Sequence, residues 1–380
     1  MADPCWPCCL SCGVAFPPPW PVSEGGRLSA GAYTVRTATR TSRGFAIAMA
    51  LVVAALIAAP LWADRGTIQD LFFILTMLVL AQFWNLLAGY GGLISIGQQA
   101  FVGLGAYAMF GSVILLGIDP IPGLLLGGVA SLILAIPMAF FAFRLVGAYF
   151  AIGTWVVADV ARLVVSQWKA VGGGTGTSLP REARSDVMGV EFIATLFDLR
   201  DAAARDVLAY WLALALAVTT VAGIYTLLRS RQGLALAAVR DNTEAAGAVG
   251  VDARRMRWTI FMVAAFGTGI AGALIFLQNV RISPDAAFSV VDWTAFVVFI
   301  VVIGGIGTIE GPILGVLIFF ILQSTLSQYG AWYLIALGLL AIVVMLVAPR
   351  GVWGLISDRT GLQLFPIRRQ LLEIRDREDT

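Results

Sequence analysis

Histidine is missing altogether from this 380-residue chain, which removes imidazole acid/base chemistry and the commonest metal ligand. Charge is scarce too: Asp, Glu, Lys and Arg make up 13% of residues and balance to +2. No Lys/Arg patch is interleaved with aromatics, so nucleic-acid binding has no support. Cysteine occurs only in the N-terminal "CWPCCLSC", as Cys5, Cys8, Cys9 and Cys12. Its overlapping Cys-x-x-Cys pairs suit zinc or acylation near a membrane, but the segment runs into "PPPWP" without the foldable loop that a zinc module needs. Residues 1–43 are therefore read as a disordered or misassigned extension, and no metal site is expected. No Walker A sequence occurs either; "GGGTG" at 172–176 lacks the Lys-Ser/Thr ending, so the chain is not expected to bind or hydrolyse ATP itself.

What the sequence has instead is apolar length. Hydrophobic residues make up 59%, in runs that reach the roughly 18 residues marking a membrane span. The runs do not alternate as barrel strands do, and backbone polar groups in lipid must be satisfied within the segment, so the spans are helices. The expected fold is all-α, a polytopic transmembrane bundle of about ten spans, within a range of eight to ten. Breaking the runs at Gly, Pro and charge places spans near 45–63, 68–88, 92–117, 121–143, 147–168, 207–228, 258–279, 293–307, 309–327 and 331–348. Those at 92–117 and 293–307 read as broken or re-entrant.

Arginine placement sets the expected orientation. Six arginines fall in 229–257 (Arg229, Arg231, Arg240, Arg254, Arg255, Arg257), six more in 350–380, and Arg27, Arg36, Arg40 and Arg43 precede the first span. Six spans before the 229–257 block and four after it put all three regions, with both termini, on the cytoplasmic side of the membrane. Segment 169–206, with five positive and six negative residues, becomes an outer loop. The membrane domain is expected over 44–357, followed by a cytoplasmic tail at 358–380.

The block "RDNTEAAGAVGVDARRMR" (240–257) carries its own punctuation. Asn242 or Thr243 can cap a short helix, Gly250 can end it in a left-handed turn, and Asp252 can cap the next. A short surface helix with small side chains on one face suits docking into a shallow groove on another protein.

Here the sequence resembles a family. Glu244-Ala245-Ala246, three residues, then Gly250 looks like the "EAA" loop of bacterial ABC importer permeases. In order, "GYGGLISIGQQAFVGLGAYA" (89–108), "GAYFAIGTWVVADVARLVV" (147–165), "GGGTG", "LRSRQGLALAAVRDNTEAAGAVGV" (228–251), "GGIGTIEGPILG" (304–315) and "PRGVWGL" (349–355) resemble the LivM-type permease of branched-chain amino acid ABC transporters. The resemblance covers about residues 45–357; the N-terminus, the tail and Gln98–Gln99 depart from it. It implies a permease of the bacterial inner membrane working with a second homologous (LivH-like) permease, two ATPase subunits that use the ATP, and an extracytoplasmic substrate-binding protein. Arg240, Asp241, Glu244, Ala245, Ala246 and Gly250 would couple it to the ATPases.

Other residues carry two readings. Gly91, Gly92, Ser95, Gly97, Gln98 and Gln99 either let helices approach closely or form the open end of a discontinuous helix lining the substrate pathway. Thr154, Gly304, Gly305 and Thr308 join the pathway candidates. Glu310 is read as an exposed turn carboxylate at a helix N-terminus, with a pathway role as the second reading. Asp159 and Arg162, three apart, are read as an ion pair that makes both tolerable within a span. An autonomous secondary transporter would need coupling carboxylates in several spans, and an intramembrane enzyme would need an acid pair; neither is evident. A urea or short-chain amide importer remains open within the leading class.

Overall fold

The computed structural model describes residues 33–36, 40–185, 187–198, 200–348, 350–360, 364–365 and 370–373. The cysteine segment lies outside the described residues. The chain divides into two units, Met1–Thr37 with Arg369–Thr380, and Ala38–Arg368. In the first, Tyr33–Arg36 pairs antiparallel with Gln370–Glu373. The second is the helical body.

That body opens with α1 (Arg40–Ala58) and α2 (Arg65–Asn85), whose first turn is capped by the Asp64 carboxylate accepting from the Gly66 N–H. A π-helical turn, Leu86–Tyr90, ends it. After a bend come α3 (Gln98–Leu116), α4 (Pro120–Ala142) and α5 (Ala148–Ser166). Asp119 caps α4 and Pro120 occupies its first position, where a missing N–H costs nothing. Two short helices, α6 (Glu182–Ser185) and α7 (Val190–Phe197), precede the long α8 (Asp201–Arg229). Next are α9 (Arg231–Asp241), α10 (Thr243–Ala248) and the central α11 (Ala253–Asn279). The chain finishes with α12 (Pro284–Ala287), a π turn at Val291–Ala295, α13 (Phe296–Gly304), α14 (Glu310–Leu326), α15 (Ala331–Val347) and α16 (Gly351–Thr360).

Among the described residues, eight helical stretches are long and apolar enough to cross a membrane, and Ile47–Leu61 and Glu310–Leu326 are shorter apolar helices. These ten fall on the ten expected spans in order. The span expected at 207–228 begins earlier, at Asp201, because Asp206 is taken into the bundle instead of ending the helix. The short 293–307 run is the end of a longer stretch, Pro284–Gly304, interrupted by the π turn.

Helices α3, α4 and α11 pack on one another, and α2 joins them to α8, α13 and α14. Lipid supplies no hydrophobic drive between helices, so close van der Waals contact must hold them. Small residues allow it: a Cβ on Gly105 would overlap the Gly269 carbonyl, one on Gly272 the Val102 carbonyl, and one on Gly127 would sit 2.6 Å from the Gly105 carbonyl. Ser131 Oγ donates to the Phe101 carbonyl across the same seam. Outward faces of α4, α5 and α15 expose Ile133, Leu163 and Leu346, as lipid-facing surfaces do.

Candidate coupling and pathway site

The polar block folds by local rules. Asn242 is extended and its Oδ1 accepts from the N–H groups of Glu244 and Ala245 at 3.0 Å each, starting α10. Gly250, at φ +84°, turns the chain out of the helix, a conformation that side-chain-bearing residues rarely adopt. The Val251 N–H returns to the Ala246 carbonyl, and Asp252 caps α11 through the Arg255 N–H. Ala246 is buried, while Asp241, Glu244, Ala245, Gly250 and Val249 are exposed. One side of α10 thus rests on the protein and the other is open.

Two arginines of the block reach other elements: Arg257 Nη2 donates to Thr243 Oγ1 of α10 at 3.2 Å, and Arg240 reaches towards α2. It pairs weakly with Asp241, Nε to Oδ1 3.6 Å, but its Nη1 reaches inward and donates to the Gly89 carbonyl at 2.7 Å. Gly89 belongs to the π turn at the end of α2. Its Cα lies against Gly307, in the turn between α13 and α14: a Cβ on Gly89 would stand 2.6 Å from the Gly307 nitrogen. Two interruptions of membrane helices meet at this point.

Helix α2 holds the 305–309 turn from the other side. Asn85, fully buried, accepts the Gly307 N–H at 2.8 Å and donates to the Thr308 carbonyl at 2.7 Å. Gln82 Nε2 donates to the Ile309 carbonyl at 2.8 Å. Thr308 Oγ1 donates to the Gly305 carbonyl and accepts the Gly311 N–H, closing the first turn of α14. Non-helical backbone at membrane depth needs such partners. Gln82 and Asn85 were not among the sequence candidates; three-residue spacing of amides near the end of an apolar span is the signal that could have found them.

The expected pathway residues separate into two groups. Gly91, Gly92, Ser95 and Gly97 lie in the bend before α3. Trp84 Nε1 donates to the Ser95 carbonyl, and the Ile96 N–H donates to Thr154 Oγ1. Ser95, Gln98, Gln99 and Thr154 are all buried. Gln98 Nε2 donates to the Leu80 carbonyl, and Thr294 Oγ1 to Gln99 Oε1. Helix α3 begins only at Gln98, so the bend is Gly91–Gly97 and both glutamines stand in its first turn. Gly304, Gly305, Thr308 and Glu310 form the second interruption, which Arg240 adjoins through Gly307.

Glu310 is the first residue of α14, as expected, but the turn is not exposed. The side chain is 9% exposed and its Oε1 accepts the Phe365 N–H at 2.9 Å. The tail folds back, with Phe365 edge-on to Tyr225 of α8. Sequence reading could not see a partner 55 residues away.

Asp159 and Arg162 do pair, at 3.2 Å. Both are partly exposed, and Arg162 has a second carboxylate partner in Asp285 of α12, at 2.9 Å. Besides Glu310, a second acid is buried. Asp206 accepts from Arg65 Nε and from the side-chain amides of Gln69 and Gln278, tying α8 to α2 and α11. The sequence reading placed Asp206 in the outer loop because it sits one residue before the apolar run.

Comparison with known proteins bears on this geometry. The family described as "Branched-chain amino acid transport system / permease component" matches residues 66–349, three quarters of the chain. The chain belongs to this permease family. Among its relatives, the high-affinity branched-chain amino acid transport system permease protein LivM of Escherichia coli K12 is 30% identical over 322 residues, covering 80% of this chain and 73% of the relative. The protein of the same name from Salmonella typhimurium LT2 is 28% identical over 317 residues, with the same coverage. No solved structure matches. The span matched by the permease family includes both helix interruptions and the whole 229–257 block; Phe365 and the cysteine segment fall outside it.

Proposed function

We propose that this chain is the membrane-spanning permease subunit of an ATP-driven importer for branched-chain or related amino acids. The single observation that carries the proposal is the family match across 66–349, which takes in α10 together with both helix interruptions. The α10 geometry supports it: a capped six-residue helix is buried through Ala246 and open through Glu244 and Ala245.

In this reading a second homologous permease completes the transmembrane path. An extracytoplasmic binding protein delivers substrate, and two ATPase subunits dock on the α10 helices. ATP is used by those subunits. Their closure carries α10 with it, and the spans shift between outward-open and inward-open arrangements. The chain then lies in a bacterial inner membrane with both termini cytoplasmic. Buried amides and hydroxyls of Ser95, Gln98, Gln99 and Thr154 supply hydrogen-bonding groups beside the bend before α3, without fixed charge that would trap a zwitterion.

The test is reconstitution of the assembled transporter in proteoliposomes with ATP inside the compartment that faces α10. ATP-dependent accumulation of leucine, with urea and acetamide not accumulated, is the expected result. Accumulation of urea or a short-chain amide instead of leucine would overturn the substrate reading. Leucine uptake by the chain alone, without ATPase subunits, would overturn the class.

A further inference from the structure

We infer that Arg240, half-exposed but with Nη1 turned inward, is a strut that transmits movement of α10 to the two helix interruptions, not a contact to the ATPase surface. This inference rests on the coupling reading above and deepens it. Arg257 of the same block bonds Thr243 at the start of α10, whereas Arg240, in the last turn of α9 and two residues before the Asn242 cap of α10, directs Nη1 to the Gly89 carbonyl. Gly89 and Gly307 are in backbone contact, and a Cβ on Gly307 would stand 3.2 Å from the same Nη1. Gly307 takes φ +79° and its N–H is held by Asn85. A planar fork at the end of α9, joined to α10 through the Asn242 cap, therefore abuts the place where α2 and the α13–α14 turn meet.

The chemistry suits transmission. A guanidinium is planar and stays charged, so a hydrogen bond to a carbonyl fixes direction as well as distance. The carbonyl it takes is at a π turn, where the helix ladder is already interrupted and backbone groups need outside partners. On the far side, Asn85 and Gln82 pass the position of Gly307 and Ile309 into α2 and the start of α14. A shift of α10 would move both interruptions together, a two-state element in place of a continuously bending one.

The test uses the full transporter, with partner permease and ATPase subunits, in proteoliposomes carrying wild type, Arg240→Met or Arg240→Lys. Three quantities are read: ATPase subunits co-purifying, ATP hydrolysed, and substrate accumulated per ATP. Arg240→Met keeps an unbranched stem about as far as Nε and removes the charge and every N–H donor of the guanidinium. The expected result is normal ATPase recovery and hydrolysis within about twofold, with uptake per ATP falling about tenfold or more, the size of a lost charged hydrogen bond. Arg240→Lys, retaining charge but not the fork, should fall between, and it supplies the reading if the Met variant does not reach the membrane. Uptake per ATP unchanged in either variant overturns the strut. Loss of ATPase recovery in an inserted variant also overturns it, since Arg240 would then be a docking contact, while leaving the coupling reading intact. If Glu244→Arg, run in parallel, keeps full ATPase recovery and uptake, the coupling reading itself fails.

Discussion

Replacing Asn85 by leucine removes the clamp on the α13–α14 turn at nearly constant volume. Both bonds that Asn85 makes, to the Gly307 N–H and the Thr308 carbonyl, are between groups with little access to water. Gly307 is in a left-handed conformation and cannot regain a helical partner. Leaving one such group unpaired costs about 1–3 kcal/mol in soluble proteins. Side-chain hydrogen bonds in membrane proteins average nearer 0.6 kcal/mol, because the unfolded chain in lipid finds partners as well. For two groups the lower scale gives about 1 kcal/mol and the upper about 6. A turn that interrupts two helices has fewer substitutes than a straight span, so Asn85→Leu should cost about 2–4 kcal/mol. The assay is thermal unfolding of the detergent-solubilised protein, followed by fluorescence-detected size-exclusion, where each kcal/mol moves Tm by about 2–4 °C in a mid-sized chain. A fall of at least about 4 °C is expected, against no change for Thr259→Val, whose hydroxyl is exposed and bonds within its own helix. An Asn85→Leu protein as stable as wild type would refute the reasoning that the turn depends on this side chain.

The Asp206 cluster should respond asymmetrically. Arg65→Met leaves a carboxylate that is 3% exposed, held by the Gln69 and Gln278 amides without its cation, and costs about 1–3 kcal/mol, whereas Asp206→Asn leaves only a half-exposed arginine and costs less; folded yield of the two variants measures the difference. Gly105→Ala should sharply reduce folded protein, because its Cβ would overlap the Gly269 backbone; a normal yield would mean the α3–α11 approach can relax. Asp159→Asn should change stability by no more than about 1 kcal/mol, because Arg162 keeps Asp285 as a carboxylate partner; a larger fall in Tm would show that Asp285 does not replace Asp159.

What could be read from the sequence was what sequence-local physics controls. The order of the apolar helices followed from the length of apolar runs, since a bilayer fixes the length of helix that crosses it; among the described residues eight reach that length and two are shorter. The caps at Asn242, Gly250 and Asp252 were legible because each acts within a few residues. Asp159 and Arg162 were legible as a pair for the same reason, but their place on the outer surface of α5 and the second partner Asp285 were not. Everything that depends on long-range contact was hidden. Arg240 and Gly89 are 151 residues apart, Asn85 and Gly307 are 222, and Glu310 is satisfied from the tail. Asp206 was hidden differently: charge at the edge of an apolar run normally marks the water boundary, and only three converging donors make its burial tolerable.

The central claim is that α10 joins this permease to separate ATPase subunits. The most direct measurement is a mild-detergent pull-down of tagged wild type and a Glu244→Arg/Gly250→Val double variant from native membranes, with co-purifying chains identified by mass spectrometry. The account predicts two outcomes: wild type brings down ATPase subunits and a second permease, and the inserted double variant keeps the permease but loses the ATPases. Equal ATPase recovery with both proteins, or recovery of neither partner with wild type, would contradict it.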